Sequence, residues 1–296
     1  MKNTPIEKIK NFCFILPALL LFLVFSLYPI LRIFELSVFQ WNGIGKNMVF
    51  VGLVQYKHIL FNNPNFWNSM LNAGYITFLA LIIQNTLALF LAILVNRNIK
   101  GKNIYKTIFF LPSVLSGIVV GLIWKFVFDG NFGILNHFLA SIGFTNFQDF
   151  SWFSKTKTVL FAVTVAHIWK GFGYGFIIFL AGLQTIPVEL YEEAEVDGAD
   201  EWQKFKYITF PLLIPIFTIA VVLTILGSMQ IFDLIYSVTR DVSVEHTYVP
   251  ITQIYEYMNN GEFGYSMAMT VIFATLLLMV SFIQILASKK LNYNNK

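Results

Sequence analysis

The sequence has few charged residues and a single cysteine. Charged residues make up 12% of the 296 residues, against about 25% in soluble domains, whereas hydrophobic residues make up 57%. A soluble core could not cover so much apolar surface, so the composition indicates that lipid is the natural solvent. The single cysteine, Cys13, excludes an internal disulfide bond.

The sequence also lacks the signatures of common catalytic chemistry. It has no G-x-x-x-x-G-K-[ST] phosphate loop, so we expect this chain to hold no cofactor. Its four histidines do not have the spacing of metal ligands. Gly171, Gly173 and Gly175 lie inside an apolar run, which indicates close helix packing rather than a nucleotide loop.

Six apolar runs are long enough to cross a bilayer, which takes about 20 helical residues. We predict one all-α membrane domain over residues 1–296, with six spans near 12–31, 73–95, 107–128, 158–183, 210–236 and 266–287. The first run is longer than the core of a signal peptide, and no small-residue cleavage site follows it. We therefore expect it to be retained.

Lysine and arginine counts predict the orientation of the spans. The segments 1–11, 96–106, 184–209 and 288–296 hold 12 of these residues, and the opposite set holds 6. Because cytoplasmic loops are enriched in them, we predict that both termini are cytoplasmic. The opposite connectors are rich in aromatic residues, which we interpret first as an interfacial belt and alternatively as a folded outer cap that contacts a partner.

The connector between the fourth and fifth runs is strongly acidic, with seven carboxylates over residues 189–201. We predict a first helix with Pro187 at its first position, because the missing N–H of proline would be unpaired there anyway. Gly198 then permits a bend. Asp200 can cap a second helix that extends to about Tyr207.

Apolar residues of this connector recur at helical spacing, while carboxylates occupy the other faces. Lipid headgroups that are anionic would repel such a surface, so a protein partner with an apolar groove and a basic rim fits better. A solvated connector that only joins two spans is the alternative. The stripe consists of Tyr191, Ala194, Gly198, Trp202 and Phe205.

The same connector resembles the EAA motif of ATP-binding-cassette importer permeases, which reads glutamate–alanine–alanine, three residues, glycine. Here the motif corresponds to Glu192-Glu193-Ala194 and Gly198. The flanking segments 181–187 and 211–215 fit the carbohydrate-importer branch. Segments along nearly the whole chain, such as Phe110-Leu111-Pro112, resemble the first permease subunit of maltose-type transporters.

The resemblance implies a type I importer permease with six spans in the bacterial cytoplasmic membrane, which carries a carbohydrate, most simply an oligosaccharide. It implies a second permease subunit, two ATPase subunits that bind ATP and magnesium, and an extracytoplasmic solute-binding protein, with no nucleic acid. It also implies a set of residues that couple the chain to the ATPase: Glu192, Glu193, Ala194, Asp197, Gly198 and Ala199.

Two positions depart from the family pattern. Glu193 stands where the family usually has alanine, which adds a charge at a contact position. Arg240-Asp241-Val242 stands where a glycine–glycine–proline run is common. The first departure concerns the coupling motif, and the second concerns the last outer connector.

Polar residues within the spans are candidates for a substrate pathway. Trp169 could stack on a sugar ring while Lys170 bonds hydroxyls; alternatively, Lys170 pairs with a backbone carbonyl or with an acid of the second permease. The other candidates can equally join helices by hydrogen bonds. Few cations lie in the spans, which favours a neutral sugar. The full set is Trp169, Lys170, Gln230, Asp233, Gln84 and Asn85.

An ion-coupled secondary transporter of a small polar solute is the alternative function. That class needs intramembrane acids or broken helices near the midplane, and the predicted spans contain almost none. A membrane-embedded enzyme would need convergent nucleophiles, paired acids or metal ligands, and the sequence shows no such group.

Overall fold

The computed structural model describes residues 5–45, 47–97, 99–153, 155–239 and 247–293. Over these ranges the chain is almost entirely helical, as predicted. The exception is a pair of two-residue antiparallel strands, β1 (Phe39–Gln40) and β2 (Val49–Phe50). The departure at Arg240-Asp241-Val242 lies outside the described residues.

Along the described chain the α-helices are α1 (Pro5–Phe22), α2 (Tyr28–Leu36), α3 (Val54–Asn62), α4 (Pro64–Leu79), α5 (Asn85–Asn96), α6 (Lys102–Val114), α7 (Gly117–Val127), α8 (Ile134–Ser141), α9 (Thr156–Leu183), α10 (Glu189–Val196), α11 (Glu201–Lys204), α12 (Phe210–Met229), α13 (Asp233–Thr239), α14 (Pro250–Asn259) and α15 (Phe263–Tyr293). Single π-helical turns join α1 to α2, α4 to α5 and α11 to α12, over Leu23–Leu27, Ala80–Gln84 and Phe205–Thr209. A 3₁₀ turn occupies Thr145–Phe147.

Five helical segments of the described chain are long and apolar enough to cross a membrane. They fully contain the first, second, fourth, fifth and sixth predicted runs. The third predicted run instead forms two helices, α6 and α7, which meet at a bend of 98°. The five segments are Asn11–Leu36, Pro64–Asn96, Lys157–Leu183, Glu201–Thr239 and Phe263–Ala287.

The bend between α6 and α7 has a local cause. Pro112 lies inside α6 and has no N–H to continue the helical hydrogen bonds. Leu115 is extended, with ψ 143°. The hydroxyl of Ser116 then accepts the N–H of Val119 at 3.3 Å and caps α7. Since hydrophobicity measures the length of an apolar run and not its direction, the sequence analysis did not predict this break.

The chain divides into two compact units, the first of which combines Met1–Asn63 with Ile254–Thr275. In it, the N–H of Gly264 donates to the carbonyl of Trp41 at 3.1 Å. A side chain at Gly264 would collide with the carbonyl of Phe39, so only glycine allows this approach. The connector after α2 and the start of α15 are therefore held together.

The second unit combines Pro64–Gln253 with Leu276–Lys296, and α9 lies at its centre. Phe176 and Phe179 of α9 are fully buried against small residues of α5 and against α12. A Cβ at Gly175 would lie 3.0 Å from that of Ala88, and side chains at Gly171 and Gly173 would collide with Gln84 and Ser113, respectively. The prediction that these glycines serve close helix packing is confirmed.

The connector between α7 and α9 forms a compact structure, which we call the aromatic cap (residues 128–153). Asn136 is 1% exposed and lies at its centre. Its Nδ2 donates to the carbonyls of Asp129, Gly130 and Phe150 at 3.3, 3.1 and 2.9 Å. Trp152 Nε1 donates to its Oδ1 at 2.7 Å. An interfacial belt does not account for this packing, so of the two interpretations the folded cap describes the connector better.

Asp129 fixes the first turn of the aromatic cap. Its Oδ1 accepts the N–H of Phe132 at 2.8 Å and the N–H of Asn131 at 2.9 Å. These hydrogen bonds, that of Phe132 first, hold the pKa of the Asp129 carboxyl below its ordinary value of 3.8. Their stabilisation is therefore present above that ordinary pKa and is lost as the pH falls through the lower pKa of the folded state.

Candidate functional site

The acidic connector forms two helices with a bend between them, and we call residues 184–209 the acidic hairpin. Gly198 adopts the left-handed conformation with φ +79°, which is strained for a residue with a side chain. The N–H of Ala199 donates to the carbonyl of Ala194 at 2.9 Å and closes the bend. The predicted bend is confirmed, whereas α10 begins at Glu189, two residues after Pro187 rather than at it.

The second helix of the acidic hairpin starts as predicted but does not end as predicted. The Oδ1 atom of Asp200 accepts the N–H of Gln203 at 2.7 Å, and Gln203 Oε1 accepts the N–H of Asp200 at 2.8 Å. This is a reciprocal capping box. The helix then continues past Tyr207, because in the π-helical turn the N–H of Phe210 donates to the carbonyl of Phe205. Helix α11 and the apolar helix α12 are thus one continuous rod.

Lys204 joins the two helices of the hairpin. Its Nζ lies 2.7 Å from Oε1 of Glu195 in α10 and 2.6 Å from Oε1 of Glu201 in α11. The Lys204 side chain is 12% exposed, whereas Glu195 and Glu201 are 63% and 69% exposed, so these are surface ion pairs that salt screens. Arg97, which follows α5, also pairs with Glu201 at 2.8 Å, and the side chains of both residues are mostly exposed.

The predicted apolar stripe of the hairpin divides into two faces. Tyr191, Ala194 and Phe205 are half-buried, and the hydroxyl of Tyr191 lies 2.9 Å from that of Thr209. Trp202 is instead 67% exposed. The prediction of one continuous stripe was wrong because helical spacing does not continue through the bend at Gly198, which changes the side of the chain that faces outward.

The outward face combines acidic and apolar side chains. Of the six predicted coupling residues, four are exposed and two are half-buried: Glu192, Glu193, Asp197 and Gly198 are exposed, and Ala194 and Ala199 are half-buried. Within the described chain, Glu192 and Glu193 form no ion pair. Val196, which the sequence analysis did not single out, is 88% exposed between them and the bend. This face has the composition that an apolar groove with a basic rim would bind.

Two of the predicted pathway residues join helices of the second unit. Asn85 Nδ2 lies 3.2 Å from Thr224 Oγ1, and Gln84 Nε2 lies 3.4 Å from the same atom. Both side chains are at least nine-tenths buried, and Oε1 of Gln84 accepts no hydrogen bond from the described residues. These contacts tie the Ala80–Gln84 turn and α5 to α12, as the alternative interpretation expects.

Trp169 and Lys170 lie near the middle of α9 and are both half-buried. The ring of Trp169 meets that of Trp124 edge to face, with centroids 5.8 Å apart. The backbone carbonyl of Lys170 accepts the hydroxyl of Ser113 at 2.8 Å, which joins α9 to α6.

Gln230 and Asp233 are exposed at the break between α12 and α13. A Cβ at Gly117 would lie 2.8 Å from the Cβ of Asp233, so this carboxylate is close to the first residue of α7. A carboxylate is favoured there by the dipole of α7. Asp233 therefore lies beside the bend in the third predicted run.

Sequence reasoning missed the hydrogen-bond partners inside the second unit. The hydroxyl oxygen of Thr224 accepts hydrogen bonds from the side-chain amides of Gln84 and Asn85. Nε2 of His167 lies 2.8 Å from the hydroxyl of Ser228. Single polar residues inside apolar runs were the only available signal. In the described part of the chain no three His, Cys, Asp or Glu side chains lie close enough to hold a metal ion.

Comparison with known proteins gives one family and several relatives. Residues 84–293 match the family described as "Binding-protein-dependent transport system inner membrane component". The arabinooligosaccharides transport system permease protein AraP of Bacillus subtilis is 33% identical, over 94% of this chain and 88% of its own. The "Probable starch degradation products transport system permease protein AmyD" of Thermoanaerobacterium thermosulfurigenes is 31% identical, over 94% of this chain and 93% of its own.

A solved structure shares the fold. It is a chain of a bacterial ABC transporter involved in the import of the acidic polysaccharide alginate, with a TM-score of 0.78. The superposition covers 96% of this chain and 98% of that one at 21% sequence identity. The architecture of the described residues is therefore that of an importer permease.

Proposed function

The chain belongs to the family of binding-protein-dependent transport system inner membrane components, and because of this membership we propose that it is the permease subunit of an ATP-driven carbohydrate importer. It is a multi-pass protein of the cytoplasmic membrane and a transport component rather than an enzyme. The acidic hairpin is the observation that carries the proposal, since it presents carboxylates and apolar side chains away from the rest of the chain.

We infer that the acidic hairpin is cytoplasmic and docks into a groove of a separate ATPase. The lysine and arginine counts support this side of the membrane. The groove would cover Val196 and Trp202 and pair basic side chains with Glu192 and Glu193. Because Lys204 fixes α10 to α11, and α11 continues into α12, movement of the ATPase would turn the spans as rigid bodies.

The remaining partners follow from the same proposal. A second permease subunit would complete the passage, two ATPase subunits would bind ATP and magnesium, and a solute-binding protein would deliver the solute from outside. In this arrangement the sugar passes between the two permeases.

We propose a neutral oligosaccharide as the solute. The names of both relatives point to oligosaccharides or starch products, and few cations lie within the predicted spans of this chain to match an anion. Trp169, Lys170, Gln230 and Asp233 stay candidates for the passage, because their side chains are half-buried or exposed in this chain. Gln84 and Asn85 are weaker candidates, since their amides bond Thr224.

The substitution Gly198→Leu tests the coupling role. Gly198 and Gly143 both have positive φ, +79° and +101°, and in both cases nothing lies within 4 Å of an added Cβ. A leucine at either position carries a backbone cost of roughly 1–2 kcal/mol. At Gly198 this cost disfavours the bent hairpin that the ATPase would bind, so we expect Gly198→Leu to lower ATPase binding and uptake about tenfold. Gly143 lies in the aromatic cap, so we expect Gly143→Leu to leave both unchanged.

Uptake is measured in proteoliposomes that contain both permeases, the ATPase and the binding protein, and ATPase binding is measured by co-purification. Normal co-purification and uptake with Gly198→Leu would contradict the coupling role. Uptake that needs an ion gradient and no ATP would instead support the secondary transporter.

A further inference from the structure

The first unit contains a pocket of about 690 Å³ that the function described above does not use. Sites for small molecules commonly measure about 300–1,000 Å³, so its size suits one. It lies between the connector that follows α2 and the start of α15. The side chains that the argument uses are Trp41, Asn42, Gln55, His58, Glu262 and Tyr265.

Trp41 is held in place before any ligand arrives. Its Nε1 donates to the carbonyl of Gly45 at 3.2 Å, and its own carbonyl accepts the N–H of Gly264 at 3.1 Å. Its ring lies 5.7 Å from that of Phe263, centroid to centroid. A fixed aromatic ring offers a large apolar contact at little entropic cost, which is how the C–H face of a sugar ring is held.

Gln55 lines the same pocket and is 8% exposed. Its Nε2 donates to the carbonyl of Phe39 at 2.9 Å, while its Oε1 accepts no hydrogen bond within the described residues. A buried acceptor without a donor is costly. Because Oε1 is itself buried, a hydroxyl of a ligand reaches it only when the amide turns toward the pocket. His58 and Tyr265, whose Nδ1 and hydroxyl lie 2.9 Å apart, add a second polar group to the lining.

The charge of the pocket selects the ligand. Among the described residues that line it, Glu262 is the only carboxylate and is exposed, and none is a lysine or arginine. A carboxylate and several amides accept and donate hydrogen bonds to neutral hydroxyls, whereas a lone carboxylate repels an anionic sugar.

We propose that the pocket formed by Trp41, Gln55, His58 and Glu262 binds one end of a neutral oligosaccharide on the extracytoplasmic side, before the sugar enters the passage. The proposal rests on the proposed function for the class of solute and for the side of the membrane. It assigns to the connector after α2 a binding role separate from that of the spans.

Sugar binding is measured by calorimetry on the complex of both permeases and the ATPase in lipid nanodiscs, without the solute-binding protein. Maltotetraose and arabinotetraose are the neutral probes, and an alginate tetrasaccharide is the acidic one. We expect at least one neutral probe to bind and the acidic probe not to bind. We expect Trp41→Phe and Glu262→Gln each to raise the Kd about tenfold, since each weakens one fixed contact.

Matched control variants lie outside the pocket. Trp67→Phe and Asp149→Asn make the same chemical changes in α4 and in the aromatic cap, and we expect both to leave the Kd unchanged. The proposal is overturned if no neutral probe binds, if the acidic probe binds as well, or if the pocket variants bind sugar like the wild type. In a second titration the solute-binding protein is added to the same nanodiscs; pocket variants that change only its affinity, and not that of the sugar, would also overturn the proposal and assign the pocket to protein docking. Failure of the proposed function is seen separately, as loss of ATP-driven uptake in the wild type.

Discussion

Asn136 determines the structure of the aromatic cap through a single side chain. The substitution Asn136→Leu would leave the Trp152 indole and several carbonyls without a partner. Each buried group left unpaired costs about 1–3 kcal/mol, so we expect the cap to open before the spans unfold. Limited proteolysis of proteoliposomes should then cut within residues 128–153. Asn131→Leu, at an exposed position of the same connector, should not be cut, and equal cleavage of the two variants would contradict the assignment.

Some site residues could be predicted from the sequence because their roles are local. Gly198 bends the chain and Asp200 caps a helix through contacts with residues at most a few positions away. The roles of Asn136 and Thr224 could not be predicted. Asn136 bonds Phe150 and Trp152, which lie 14 and 16 positions away. Thr224 bonds amides that lie 139 and 140 positions away. Nothing in an apolar run specifies which distant helix will face it.

The positions of most helices could likewise be predicted from local features of the sequence, whereas two helix boundaries could not. Five of the predicted runs lie within spanning helices, because a long apolar run in lipid must satisfy its own backbone as helix. The third run instead divided at Leu115 and Ser116, and the second helix of the acidic hairpin continued past Tyr207. Both differences arise from backbone hydrogen bonds near prolines, which hydropathy does not register. The pairing of β1 with β2 was likewise too short to predict.

Lys204→Met tests whether the two helices of the acidic hairpin must be fixed to each other. The variant removes both ion pairs to Glu195 and Glu201. Because these ion pairs hold α10 against α11 in the arrangement that the ATPase would bind, we expect the affinity of the ATPase for the permease pair to fall roughly two- to fivefold, the size of effect that surface ion pairs have. The affinity is measured by surface plasmon resonance on nanodiscs.

The control for this measurement is Lys206→Met, two residues further along. The ammonium group of Lys206 lies 5.1 Å from the ring centroid of Tyr207, and it forms no ion pair within the described residues. We expect the permease pair that carries Lys206→Met to bind the ATPase with the affinity of the wild type. Equal losses in the two variants would show that only net charge matters and that the tie between α10 and α11 does not.

The orientation of the whole chain can be tested with its single cysteine removed. On a Cys13→Ser background, the position of one new thiol reports the side of the membrane. We expect Asp149→Cys, in the aromatic cap, to react with an impermeant maleimide in intact cells, and Glu189→Cys, in the acidic hairpin, to react only after the membrane is opened. Both positions are exposed in the described structure. The opposite result would refute the orientation that the lysine and arginine counts predict.

Continuity between α11 and α12 has a mechanical consequence. At about 1.5 Å per residue, the stretch from Glu201 to Met229 is about 43 Å long, which is close to the thickness of a bilayer with its headgroups. The π-helical turn at Phe205–Thr209 keeps the backbone hydrogen-bonded across the junction, and the helix continues through Pro215, whose missing N–H removes one hydrogen bond. A tilt imposed on α11 at the inner leaflet is therefore transmitted along one helix to the outer leaflet.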